Sequence, residues 1–235
     1  MNDGSPEQRI YKSSQEHSSN ALAKIIKENP RLEELDIFLS YFFPEHIEML
    51  GNLTRLRSLR MRFYADAYYP PFDLRFVRTM YSLEHLALTL AGPLSHWAEI
   101  ATVKGLRSLE LSTNSCHGQV MFSEPATLEP LKRLYQLREV ILGENLGKLT
   151  INLDILASLP QLTNLRLSNT ESTEITSVKS VRRATQLRSL CLGATSVPTL
   201  AEVWGMELEY LGTPYQMPRQ QYEAYQARHP NCCVY

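Results

Sequence analysis

Apolar residues recur along the chain on one short template: an apolar position, two variable ones, a second apolar position, one variable, and a third apolar position. The template is met at Leu32/Leu35/Ile37, Leu56/Leu59/Met61, Leu83/Leu86/Leu88, Leu106/Leu109/Leu111, Leu137/Val140/Leu142, Leu162/Leu165/Leu167 and Leu187/Leu190/Leu192. A degenerate eighth copy has Leu208 and Leu211 with Thr213 in the third place. Successive starts lie 24, 27, 23, 31, 25, 25 and 21 residues apart. Alternation of apolar and polar positions is the period of a strand with one buried face. Upstream of each template the steps lengthen to three or four residues, as in Ile47, Leu50 and Leu53 or Leu128, Leu131 and Leu134. That rhythm predicts a helix with one apolar stripe. A single strand and helix bury little, so the expected architecture is a stack of about eight units, an α/β solenoid or horseshoe. Its parallel sheet is expected on the concave face and its helices on the convex face.

The fuller pattern L-x-x-L-x-L-x-x-N is met literally at Leu106, Leu109, Leu111 and Asn114 and again at Leu137, Val140, Leu142 and Asn145. On these residues the chain resembles the leucine-rich-repeat (LRR) family, over residues 22–213. The resemblance implies that the Asn side chain bonds backbone groups where the strand ends, with Thr170 and Thr195 in the equivalent place of later units. The first three units carry Ser40, Tyr64 and Ala91 there. The Leu159-Pro160-x-Leu162 step is similar to that of many bacterial and cytosolic members.

A stack exposes core at both ends and needs caps. Residues 21–28 predict an amphipathic capping helix stopped by Asn29-Pro30. Residues 1–20, rich in Ser, Gln and Glu, predict a disordered arm. At the other end, residues 214–235 form the expected C-terminal cap. There Pro218 opens a helix carrying Tyr222 and Tyr225, His229-Pro230 ends it, and Cys232, Cys233 and Val234 make a closing edge strand. The solenoid proper is thus expected over residues 21–213.

With the leucines pointing inward, the residues between them face out from the sheet. One outward column carries Glu34, His85, Glu139, Asn164 and Tyr210; a second carries Asp36, Arg60, Glu110 and Arg166; a third begins with Phe38 and Arg62. Alternating charges of this kind discriminate between partners. Between units, residues 63–72 concentrate aromatics, among them Tyr64, Tyr68 and Tyr69, and Tyr is a frequent interface anchor. The same loop also reads as an insertion folded back with its rings buried. These fourteen residues are the candidate partner-binding set.

Composition narrows the function classes. The 235 residues carry 24 basic and 25 acidic side chains, a formal charge of −1, which supplies no field to gather nucleic acid or an anionic membrane. No apolar run is long enough to span a bilayer, and the polar start lacks a secretory core, so a cytoplasmic, monomeric protein is expected. Cys116, Cys191, Cys232 and Cys233 fit neither a disulfide framework nor a structural zinc site. His46, His85 and His96 show no ligand spacing, Cys116-His117 are merely adjacent, and no phosphate-loop, dinucleotide, zincin or serine-hydrolase motif occurs. The expectation is a non-enzymatic module without cofactor or metal that binds another protein as an inhibitor, immunity protein or adaptor. The alternatives are a substrate-recognition subunit of a ubiquitin-ligase or phosphatase complex, and a secreted effector.

Overall fold

The computed structural model describes residues 8–63, 70–114, 120–143, 146–167, 177–193, 199–214 and 217–235. Ten parallel strands form one continuous sheet in chain order. They are β1 (Ile10–His17), β2 (Glu34–Leu39), β3 (Ser58–Phe63), β4 (His85–Leu90) and β5 (Ser108–Thr113). The stack continues through β6 (Glu139–Leu142), β7 (Asn164–Leu167), β8 (Ser189–Cys191), β9 (Tyr210–Gly212) and β10 (Cys233–Val234). This is the leucine-rich-repeat solenoid, with β2 to β9 carrying the eight templates in unbroken register. Leu35, Leu59, Leu86, Leu109, Val140, Leu165, Leu190 and Leu211 align strand to strand as a fully buried ladder. Ile37, Met61, Leu88, Leu111, Leu142 and Leu167 form a second. Both belong to one core cluster that runs from Leu22 to Cys232.

The segments behind the sheet are not the α-helices the apolar stripe suggests. Apart from two five-residue α-helices, Pro44–Glu48 and Leu153–Ala157, they are short 3₁₀ helices: Met49–Asn52, Leu74–Thr79, Trp97–Thr102, Glu129–Arg133, Lys179–Arg183 and Leu200–Val203. Their apolar residues step by three, as in Val77/Met80, Ile100/Val103 and Leu128/Leu131/Leu134, the number of residues in a 3₁₀ turn, and each helix ends before the strand that follows. A second backbone ladder runs behind the middle units. There Phe72–Asp73 pairs with Leu94–Ser95, the Leu94 N–H donates to the Met121 carbonyl, and Phe122–Thr127 pairs with Gly147–Thr150.

The N-terminal arm expected to be disordered over residues 1–20 is corrected by the structure from residue 8 onward. β1 pairs with β2, and the Glu33 N–H donates to the Arg9 carbonyl (2.7 Å), as Arg57 does to Glu33 and Glu84 to Arg57 at later unit boundaries. Tyr11 takes the place of the inward leucine, aligned with Leu35 and packed on the core. Composition hid this strand because its outward residues are Ser, Gln, Glu and Lys, while the backbone ladder of β2 still needs a partner. Helix Ser19–Glu28 follows, capped by the Ser18 hydroxyl accepting from Ala21 N–H, with Leu22, Ala23, Ile25 and Ile26 buried. Ser19 is fully buried; its hydroxyl accepts from the Phe43 N–H and bonds His46 Nδ1, each at 2.8 Å.

At the far end, helix Arg219–Arg228 follows Pro218 and closes the core with Tyr225. Its phenol donates to the Met206 carbonyl (3.2 Å), and its ring stacks on His229 at 4.5 Å. β10 then pairs with β9. Among the described residues, no helix is long and apolar enough to cross a membrane.

Candidate functional site

The outward columns of the sheet stand in register. The first runs Ile10, Glu34, Ser58, His85, Ser108, Glu139, Asn164, Ser189, Tyr210 and Cys233. The second runs Lys12, Asp36, Arg60, Ala87, Glu110, Ile141, Arg166, Cys191 and Gly212. Neighbouring strands lie about 4.8 Å apart, so groups one or two strands away are within reach of a long side chain.

That spacing pairs most of the charges internally. Arg62 Nη2 meets Asp36 Oδ1 at 2.7 Å. Arg60 reaches over the small Ala87 to Glu110 Oε2, 3.4 Å away. Lys12, which the sequence reading left in the arm, sits 2.7 Å from Glu34. Glu139 accepts from the Ser108 hydroxyl and from Asn164 Nδ2, both at 2.6 Å. Arg62 Nε is buried with no hydrogen-bond partner among the described residues. A buried donor without a partner carries a desolvation cost of about 1–3 kcal/mol, which the contact of Nη2 with Asp36 helps to offset.

The remaining candidates separate into two groups. His85, Arg166 and Tyr210 are exposed, and Arg166 makes no ion pair or hydrogen bond among the described residues. Phe38 is half-buried on β2. Tyr64, Tyr68 and Tyr69 lie outside the described residues, as do Cys116, His117, Asn145, Thr170 and Thr195. The two ends of the aromatic segment are described: Phe63 and Phe72 are buried, 5.6 Å apart edge to face, and Phe42 joins them at 5.2 and 5.6 Å. Asn114, the one described asparagine of the repeat pattern, is exposed, and the buried polar residue of its strand is Thr113.

Sequence reading also passed over the residue that precedes each strand. Here Arg9 pairs with Glu33 (3.2 Å), and Glu84 lies between Arg57 (2.6 Å) and Arg107 (3.5 Å). The Arg57 hydrogen bond holds the Glu84 carboxyl below its ordinary value against the opposing effect of desolvation. The signal was present in the sequence: the position just after the first leucine reads Glu33, Arg57, Glu84 and Arg107 through the first four units. Among the described residues, no three His, Cys, Asp or Glu side chains gather as metal ligands.

No protein-family model matches the sequence, and no curated protein matches it. Solved structures do. The chain resembles an internalin from Listeria monocytogenes with a TM-score of 0.56 at 20% identity, over 89% of this chain and 62% of that one. It resembles an LRR protein of Leptospira interrogans at 0.52 and 18%, over 90% and 56%. It also resembles the LRR ectodomain of the receptor kinase GASSHO1/SCHENGEN3 from Arabidopsis thaliana, solved with CASPARIAN STRIP INTEGRITY FACTOR 2, at 0.52 and 16%, over 90% and 27%. The chain thus spans about six-tenths of the first of these structures and just over half of the second. At such identities the likeness is one of fold.

Proposed function

We propose, starting from the leucine-rich-repeat fold of this chain, that it is a recognition module which binds another protein across the outward face of its sheet. The observation that carries the reading is the division of that face into a prearranged half and an unsatisfied half. Lys12 with Glu34, Arg62 with Asp36 and Arg60 with Glu110 pair on β1 to β5, and Glu139 with Asn164 extends the bonded part of the face to β6 and β7. From β6 to β9 the face presents Ile141, the half-exposed Tyr210 and Arg166, which has no ion pair or hydrogen bond among the described residues. Arg166 stands beside Ile141 on the neighbouring strand and Tyr210 lies two strands further on; Arg and Tyr are enriched at interface centres, where few residues carry most of the affinity. The paired half supplies electrostatic selectivity without reorganising, since its partners are already set. The solved ectodomain that shares this fold with a bound factor supports the same use of the scaffold.

The test is affinity capture from the source cell with the intact chain, followed by titration of the captured protein against variants. Arg166→Glu combined with Tyr210→Ala is expected to weaken that complex at least about tenfold while leaving the melting temperature unchanged. Binding at the parent's affinity would move the interface off the sheet face.

A further inference from the structure

The last repeat departs from the others in one respect. In the earlier units the first leucine of the template closes a turn on the residue three before it: Leu56 on Leu53, Leu83 on Met80, Leu106 on Val103, Leu137 on Leu134 and Leu187 on Ala184, at 2.9 to 3.1 Å. In the final unit the series runs Leu200, Val203, Met206 and then Leu208, a step of two. Met206 still closes on the Val203 carbonyl (3.0 Å), and the next ladder bond runs from Glu209 N–H to the Arg188 carbonyl. The turn is one residue shorter there, and a cleft of about 300 Å³ lies between this unit and the one before it.

The cleft is lined by Arg182, Ala184, Thr185, Leu187 and Arg188 on one side and Gly205, Met206 and Glu207 on the other. Leu187, Ala184 and Met206 are buried and make its floor. Arg182, Arg188 and Thr185 are exposed at its mouth, and none of the three side chains has a hydrogen bond or ion pair among the described residues. The adjacent Arg183, by contrast, is already paired with Asp154 at 3.1 Å. Gly205 lies against Arg182: a Cβ there would stand 3.1 Å from Arg182 Nη2. Two guanidinia and one hydroxyl, all with donors to spare, therefore converge on a space bounded by a single carboxylate.

We propose that this cleft is a binding site for a dianionic phosphoryl group. Guanidinium forks match phosphate oxygens two at a time, and two of them balance the double charge that a lone carboxylate ligand would not supply. The volume, at the low end of small-ligand pockets, accommodates the phosphoryl group with a short ester arm. The site is distinct from the sheet face, so its fate is independent of the binding reading above.

The experiment is a titration of the full chain with inorganic phosphate and, separately, with O-phosphothreonine, at low ionic strength because exposed charges are screened by salt. Saturable binding with a dissociation constant of about 1 mM is expected for one or both probes. Arg182→Gln with Arg188→Gln should weaken it at least about tenfold. Arg183→Gln should leave it unchanged. Phosphothreonine binding should fall between pH 7.5 and pH 5, since its second proton is bound below about pH 6. Tighter binding of phosphothreonine than of phosphate adds the ester arm to the site; equal binding confines recognition to the phosphoryl group. The proposal is overturned if neither probe saturates, or if the double variant, melting with the parent, binds as the parent does.

Discussion

Adjacent residues on β7 give the sharpest test of the architecture. Leu165 is fully buried between Val140 and Leu190 on the neighbouring strands, while Arg166 is exposed with no partner among the described residues. Truncating Leu165 to Ala removes three carbon groups from the core, a transfer loss of about 2.4 kcal/mol at roughly 0.8 per group. The strands on either side are held by backbone ladders and cannot close fully on the vacancy, so the cavity raises the cost to about 3–5 kcal/mol. Against a total stability on the order of 5–15 kcal/mol, that is a large fraction. Truncating Arg166 removes a solvated side chain and should change stability by no more than about 0.5 kcal/mol. Urea titration followed by circular dichroism measures both, and the Leu165→Ala midpoint should drop without a change in slope. If Leu165→Ala cost under about 1 kcal/mol while Arg166→Ala cost more, the inward and outward faces would be exchanged and the register wrong.

Two further outcomes follow from the caps and the strand starts. Tyr225→Phe removes the bond from the buried phenol to the Met206 carbonyl and should cost about 1–2 kcal/mol by thermal melting at neutral pH. Burial pushes the Tyr225 phenol up to about 12, so its neutral form stabilises the fold below the unfolded value near 10, and that contribution is lost as pH rises toward 12; the Phe variant should show a flatter alkaline limb. Glu84 has the opposite sign: Arg57 and Arg107 hold its carboxyl down, so its contribution is present above about pH 4.3 and is lost as acid protonates the folded form. In Glu84→Gln the difference in melting temperature between pH 7 and pH 3 should shrink, and an unchanged difference would assign the acid sensitivity to other carboxylates.

Sequence carried the sheet well because its information is local and redundant. Each template places two buried apolar residues with one outward residue between them, and seven copies agree on the same period of two. It carried the connectors poorly because a stripe of apolar residues three apart was read as a helix of period 3.6. Each 3₁₀ helix spans only four to six residues, so Leu83 and Leu86 lie beyond Leu74–Thr79, with Leu86 already on β4. β1 escaped notice for a different reason: an edge strand owes its place to the neighbour's unpaired backbone, which composition does not record. The charges on the face show a third limit. Reading them column by column predicted a free mosaic, yet Arg60 and Glu110 stand two strands apart and meet only because Ala87 lies between them. A long side chain crossing a small one turns two apparent binding residues into a pair. At the last repeat no small residue carries Arg182 across to a carboxylate among the described residues, so its guanidinium, unlike that of Arg60, is left for a ligand.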